Sequence, residues 1–226
     1  MRISALIPNL NSGAMLDRCL EALAASGNVE EVLVMDAGSS DGSAARAGSR
    51  EGVRVISRPG MGLPARQNLG MEEARNEHVL LLNSDAFVDP ETPARLGEVL
   101  DRRPGVGASG AHLRFEDGSE QRSADRYKTL LRHTFSALPS SRLPPGRRPV
   151  SPKSAGTERV TWLPLCCVVI RRSAWRDVGG WDERFSFYYE DQDFCRRLVE
   201  AGWELVVRWD AGAIHVGGEA MGRGGS

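Results

Sequence analysis

The chain has 226 residues, 41% of them hydrophobic and 26% charged, which suits one domain with a full core. A formal net charge of −1 excludes a general attraction to nucleic acid or acidic lipid, so an electrostatic partner must be sought in a local patch. Cys19, Cys166, Cys167 and Cys195 show neither C-x-x-C spacing nor a disulfide framework, which predicts a reducing, cytosolic compartment. The apolar N-terminal run is too short for a signal peptide, and no stretch has the length of a membrane span.

In chain order, short runs rich in Val, Ile and Leu alternate with helical stretches, the pattern of βαβ units and a mainly parallel sheet. The predicted elements are a strand at Ile3 to Pro8, a helix at Met15 to Ala25, a strand at Glu31 to Asp36, a helix over 41–50 and a strand at Val53 to Ser57. A helix over 64–75 follows, then a strand at His78 to Asn83, a helix at Glu91 to Arg102, a strand at Gly107 to Phe115 and a turn at Asp117-Gly118. The unbroken Val79, Leu80, Leu81 and Leu82 predict a central strand buried on both faces. Residues 127–157 carry Lys128, Arg132, Arg142, Arg147, Arg148 and Lys153 with several prolines and no acidic residue, as a basic, flexible connection would. Order is expected to resume with a strand from Val160 to Arg171, a helix at Ser173 to Val178, an acidic helix over 190–201, and strands near 203–209 and 213–216. The expected organisation is one domain over 1–216, with halves 1–115 and 160–216 joined by the connection 116–159, and a flexible tail at 217–226.

In open α/β sheets ligands bind outside the carboxyl ends of the strands, and several predicted strand ends here carry polar residues. They are Asn9-Leu10-Asn11, the run from Asp36 to Ser43, Asn83-Ser84-Asp85, and His215. A carboxylate such as Asp36 offers only acceptors and can take the imide N–H of a pyrimidine. Asp85 and His215 are a hard oxygen ligand and an imidazole that can share a divalent cation with a diphosphate. A strand-end Asp can equally cap a turn or helix, and a histidine near a terminus can simply be solvated. Further along, Glu190, Asp191 and Asp193 place three carboxylates in four positions beside aromatic residues, a combination suited to taking a proton from a sugar hydroxyl. The same segment reads as an acidic helix start, with Asp193 and Arg197 paired four residues apart. On either reading the helix dipole and Arg196 or Arg197 are expected to keep Asp191 ionised. Trp181, Phe185, Phe187, Tyr188 and Tyr189 offer flat faces to a sugar ring or pack on the sheet.

Five stretches together carry a family resemblance: Ile7-Pro8-Asn9-Leu10-Asn11, Val34 to Ser43, Gly62 to Gly70 with Arg66 and Asn68, Leu81 to Asp85, and Gly179-Gly180-Trp181-Asp182-Glu183-Arg184-Phe185 leading to Tyr189-Glu190-Asp191-Gln192-Asp193. In order and spacing they resemble the family 2 glycosyltransferases, closest in texture to rhamnosyltransferase-like members. The resemblance implies an α/β fold, a single GT-A (Rossmann-like, nucleotide-binding) domain with a mixed, mainly parallel central sheet flanked by helices. It assigns 1–115 to the nucleotide sugar and 160–216 to acceptor and catalysis. It implies donor contacts at Pro8, Asn9, Asn11, Asp36, Arg66, Asn68, Asn83, Ser84 and Asp85, with Asp36 on the nucleobase. Asp85 and His215 would hold a divalent cation, Mn²⁺ or Mg²⁺. Asp191 would be the catalytic base and Glu190 its supporting carboxylate, with Trp181, Tyr189, Glu190 and Asp193 on the acceptor side. The implied reaction is inverting transfer from a nucleotide-diphosphate sugar, such as dTDP-rhamnose, to a sugar or lipid-linked acceptor in cell-surface polysaccharide synthesis. It would proceed in the cytoplasm, at the inner face of the membrane. From local charge alone, Arg142, Arg147, Arg148 and Lys153 are expected to attract either the anionic membrane face, as a peripheral contact, or the pyrophosphate of a lipid-linked acceptor, and the net charge argues for no nucleic-acid partner.

Two positions depart from the family pattern. Asn83 stands where the metal motif usually has its first Asp, as it does in related rhamnosyltransferase-like members, and adds no charge. Ala37 stands where a second acidic residue often follows the second strand. Two other readings are open. Gly60-Met61-Gly62-Leu63-Pro64-Ala65, with Asp85 a strand later, fits a dinucleotide-binding fingerprint, although Pro64 and Arg66 sit awkwardly where pyrophosphate would dock. The neutral Asn83 also fits a nucleotide-sugar binder without turnover.

Overall fold

The computed structural model describes residues 2–126, 150, 152–186 and 189–217. Its elements follow in the order β1 (Ile3–Asn9), α1 (Gly13–Ala24), β2 (Val29–Asp36), α2 (Ser43–Gly48), β3 (Val53–Ser57), α3 (Leu63–Glu73), β4 (His78–Leu82), β5 (Ala86–Val88), α4 (Thr92–Arg102) and β6 (Val106–Arg114). The chain continues with β7 (Thr157–Val160), β8 (Cys167–Arg171), α5 (Arg172–Asp177), α6 (Glu190–Glu200) and β9 (Glu204–His215).

All described strands join one sheet in the order β3-β2-β1-β4-β8-β6-β9-β5, with β7 also paired to β9. β3, β2, β1 and β4 are parallel, as right-handed βαβ units require. β8 is antiparallel to both β4 and β6, while β6 and β9 are parallel, so the sheet is mixed. The carboxyl ends of β1, β2, β4, β6 and β9 therefore meet at one edge, together with the start of β8. Helices cover both faces. Ile3, Ala5 and Ile7 of β1 and Leu80 and Leu82 of β4 face one core cluster, whereas Leu6, Val79 and Leu81 face the other. β4 is thus buried on both sides, as its apolar run predicts.

Three expectations differ from the structure. The run 160–171 is not one strand: β7 and β8 are separated by a crossing segment in which Pro164 has no N–H to donate and Leu163 lies against the sheet. Gly110 makes room there, since a Cβ at that position would stand 2.7 Å from Leu163 Cδ2. The two C-terminal strands are instead one, β9, with a bulge. Ala111 of β6 pairs with Arg208 and His112 with Gly212, leaving Trp209, Asp210 and Ala211 looped out of register. The short strand β5 was not anticipated. Within 116–159, the expected connection, Arg114 bridges Glu120, Asp125 bridges Trp162, and β7 is present. Lys128, Arg132, Arg142, Arg147 and Arg148 lie outside the described residues, as do Phe187, Tyr188 and residues 218–226. Lys153 pairs with Glu158 at 2.6 Å.

Candidate active site

At the end of β1 the polar residues are knitted to one another. Asn9 is fully buried and its Nδ2 reaches Asp36 Oδ1 at 2.9 Å and the hydroxyls of Ser39 and Ser43 at 3.1 Å. Asp36, 2% exposed, accepts from the backbone N–H groups of Gly38 and Ser39 and from the Ser39 hydroxyl. Burial pushes its carboxyl up, but the donors at Ser39, Gly38 and Asn9 outweigh it and hold the group below its ordinary value. These donors tie Asp36, the residue expected on the nucleobase, to the loop from Ala37 to Ser43. Asn9 likewise acts through Asp36. Pro8 lies within β1, paired with Met35 of β2. Asn11 has φ 52° and its Oδ1 accepts from Ser40 N at 2.8 Å, which pins the next loop to the same network. Arg66, on the buried face of α3, donates to Asn9 O at 2.8 Å, and its Nε has no hydrogen-bond partner among the protein atoms. Burial lowers its pKa against the opposing pull of Asp36.

Asn68, expected near the nucleotide, is tied to the turn before α6. Its Nδ2 donates to Trp181 O and Glu183 Oε1, both at 2.9 Å, while its Oδ1 accepts from Trp181 N at 2.8 Å and Trp175 Nε1 at 3.2 Å. A side chain engaged four ways is a clamp on the Gly179-Gly180-Trp181 turn. Gly180 has φ 74°, and a Cβ there would stand 2.5 Å from Asn68 Oδ1, so only glycine admits the clamp. Trp181 itself is 2% exposed and stacks on Phe194 of α6, centroids 4.4 Å apart. Its ring, expected on the acceptor side, packs in the core here.

Beyond β4, Ser84 shares a 2.7 Å hydrogen bond with Ser12, joining the loops after β4 and β1. Asp85 Oδ1 lies 3.5 Å from His215 Nε2, and Asn83 Nδ2 lies 3.5 Å from the same nitrogen. Burial raises and His215 lowers the Asp85 pKa, and His215 prevails. For His215, burial is outweighed by Asp85 and Cys166, and the pKa is raised to about 10. His215 Nδ1 is 3.1 Å from Gln121 Oε1, which can only accept, so Nδ1 carries the proton and Nε2 faces Asp85. Nothing in the sequence around Gln121 signals this contact, which spans 94 positions.

The acidic residues sit in the first turn of α6, as the sequence predicts. A short turn hands α6 to the start of β9, so α6 runs back along the sheet and its first turn points to the edge where Asp85 and His215 lie. Glu190 is half-buried, and its Oε2 has no partner among the protein atoms. Burial and the neighbouring Asp191 raise its pKa. Asp191 is raised too, chiefly by burial. Arg196 and Arg197 do not supply the counter-charge expected for it: Arg197 binds Asp193 at 2.7 Å, and Arg196 binds Asp193 and Glu200. Asp193, expected on the acceptor side and as a partner of Arg197, makes that pair. Tyr189, also expected on the acceptor side, is 65% exposed and held at φ 69°, a costly backbone conformation for an aromatic residue.

A Rossmann-like sheet with loops and carboxylates gathered at one edge defines the GT-A class of nucleotide-sugar glycosyltransferases. The dinucleotide-binding alternative is not favoured: β3, which precedes Gly60, is an edge strand, and Pro64 removes an amide from the first turn of α3. The model of glycosyl transferase family 2 matches residues 4–161, and that of glycosyl transferase family group 2 matches residues 151–219. The chain belongs to glycosyl transferase family 2. It is 31% identical over 246 residues to the N-acetylglucosaminyl-diphospho-decaprenol L-rhamnosyltransferase of Mycobacterium tuberculosis, covering 93% of this chain and 75% of that protein. Among solved structures it resembles GalNAc-T7 with UDP, GalNAc and Mn²⁺, at TM-score 0.73 and 14% identity over 95% of this chain and 44% of that one. It also resembles the mannosyltransferase PcManGT of Pyrobaculum calidifontis with GDP-Man and Mn²⁺, at TM-score 0.67 and 15% identity over 97% of this chain and 58% of that one. These identities speak to the fold. The chain spans about half the length of those two structures. No helix among the described residues is long and apolar enough to cross a membrane.

Proposed function

We propose that the protein is an inverting glycosyltransferase that moves a sugar, by similarity rhamnose from dTDP-rhamnose, to a hydroxyl of a lipid-linked acceptor in cell-surface glycan synthesis. The observation that carries this reading is the pair of half-buried carboxylates, Glu190 and Asp191, in the first turn of α6, which points to the edge holding Asp85 and His215. Asp191 takes the acceptor proton as the hydroxyl oxygen bonds to the anomeric carbon, while the bond from that carbon to the diphosphate oxygen breaks on the opposite side. The elevated pKa makes Asp191 a stronger base than an exposed aspartate. Glu190, with an oxygen free of protein partners, is suited to a second acceptor hydroxyl.

The donor set fits a divalent cation. Two ligands of one octahedral ion at about 2.1 Å stand roughly 3 Å apart, close to the 3.5 Å between Asp85 Oδ1 and His215 Nε2. Gln121 holds the imidazole so that Nε2 faces the site, the usual arrangement for a ligating histidine, and the Nε2 proton that pairs it with Asp85 would leave as the ion binds. Among the described residues no group of three His, Cys, Asp or Glu could hold an ion alone, so Asp85 and His215 would share it with the donor diphosphate and water. When bound, the ion supplies Lewis-acid stabilisation of the departing diphosphate. Arg66, with its buried unpartnered Nε near Asp36, is placed to support the nucleotide side.

Calorimetric titration with UDP, dTDP and GDP sugars, each with Mn²⁺ and with chelator, tests the reading. One nucleotide sugar binding in a cation-dependent way, and turning over with a lipid-diphosphate sugar acceptor, is the expected result. Binding of NAD(H) in preference to every nucleotide sugar would refute it.

A further inference from the structure

We propose that Trp162 and Arg122 are positioning residues that aim the Asp191 carboxylate, Trp162 as its direct hydrogen-bond partner and Arg122 as the clamp on the indole. Trp162 stands in the segment crossing from β7 to β8 and donates Nε1–H to Asp191 Oδ2 at 2.9 Å. The other oxygen, Oδ1, accepts from Gln192 N at 2.7 Å. Two donors from two different elements thus fix the carboxylate plane. The indole is itself held. Asp125 O accepts from the N–H groups of Thr161 and Trp162 at 3.0 Å, and Asp125 N donates to Trp162 O at 3.1 Å. The guanidinium of Arg122 lies over the ring, 4.9 Å from its centroid, and pairs with Asp125.

An indole N–H suits a base because it donates and has no proton to exchange at working pH. A charge-assisted hydrogen bond to one oxygen holds the ionised form in place. The groups facing Asp191 are Glu190 beside it, Cys195 one turn on, Arg122 across the indole, and Trp162. Of these, Trp162 and Arg122 lower its pKa, against the larger effect of burial. Removing the N–H must therefore raise it further, and the acid limb of the pH profile must move the same way.

The inference rests on Asp191 as base, so Asp191→Asn is measured alongside. Trp162→Phe keeps an aromatic ring and removes the donor. It is expected to lower kcat by about 10-fold or more, to leave donor affinity within about 2-fold, and to move the acid limb of kcat/KM for acceptor up by roughly 0.5–1 pH unit. Arg122→Gln leaves the indole in place on an exposed position and should move the same limb by less, with Arg122→Lys restoring part of it. Urea unfolding of each variant identifies a folding defect, and the Arg122 pair keeps the test valid if Trp162→Phe folds poorly. An acid limb unmoved in these variants while Asp191→Asn is inactive overturns the inference and leaves Asp191 the base. Near-normal turnover of Asp191→Asn overturns both.

Discussion

Replacing Trp181 separates a core residue from an acceptor platform. The ring is 2% exposed, it stacks on Phe194 at 4.4 Å, and its backbone N–H and C=O are both held by Asn68. Trp181→Ala empties that site, and truncations of buried Trp cost about 3–5 kcal/mol, of which the aromatic stacking is roughly 0.5–1.5. For a chain of this size each kcal/mol shifts Tm by about 2–4 °C, so a fall of roughly 6–20 °C is expected. Trp181→Phe should cost less, about 1–2 kcal/mol, because it keeps an aromatic ring against Phe194 and the Nε1–H it deletes has no partner. The assays are urea unfolding of both variants and the acceptor KM of Trp181→Phe, which should stay near wild type. Unchanged stability in Trp181→Ala, or a tenfold rise in acceptor KM for a stable Trp181→Phe, would refute the reasoning.

Other outcomes follow from the same contacts. Asn68→Ala strands the backbone groups of Trp181 and should cost about 2–4 kcal/mol in urea unfolding, with donor affinity of the folded fraction retained; a selective loss of donor binding would restore its direct contact. Asp85→Ala should abolish Mn²⁺-dependent thermal stabilisation by dTDP together with activity, whereas full activity in excess chelator would remove Asp85 and His215 from cation binding. Because burial raises the Asp191 pKa, its ionised fraction falls as pH drops through a value above the ordinary aspartate figure of about 3.9. The acceptor kcat/KM profile should show its acid limb above that figure, and Asp191→Asn should remove the limb along with about 10²-fold or more of the rate.

The parallel half of the sheet was legible because its signals are local. Val53 to Ser57 matches β3, the leucine run marks β4, and three carboxylates mark the first turn of α6. The second half depends on partners distant in sequence. Pro164 divides an apolar run that reads as one strand, and the bulge at Trp209 to Ala211 joins two runs that read as separate strands. Side-chain roles were legible as residue types but not as orientations. Asp36 stands at a strand end as expected, yet the donors that hold it come from Asn9 on the neighbouring strand and from the Ser39 hydroxyl and N–H groups of the following loop. Trp181 and Tyr189 are both aromatics in one motif, and only packing against Phe194 shows that the first is core while the second is exposed. Trp162 and Gln121 left no sequence signal because each acts on a residue at least 29 positions away.

The central claim is single-displacement transfer with Asp191 as base, and the anomeric configuration of the product tests it most directly. Proton NMR of the reaction with dTDP-rhamnose and a lipid-diphosphate sugar acceptor should show one product anomer, opposite in configuration to the donor, forming with wild type and nearly absent with Asp191→Asn at unchanged donor occupancy. A product that keeps the donor's configuration, or forms at an undiminished rate in Asp191→Asn, would contradict the account.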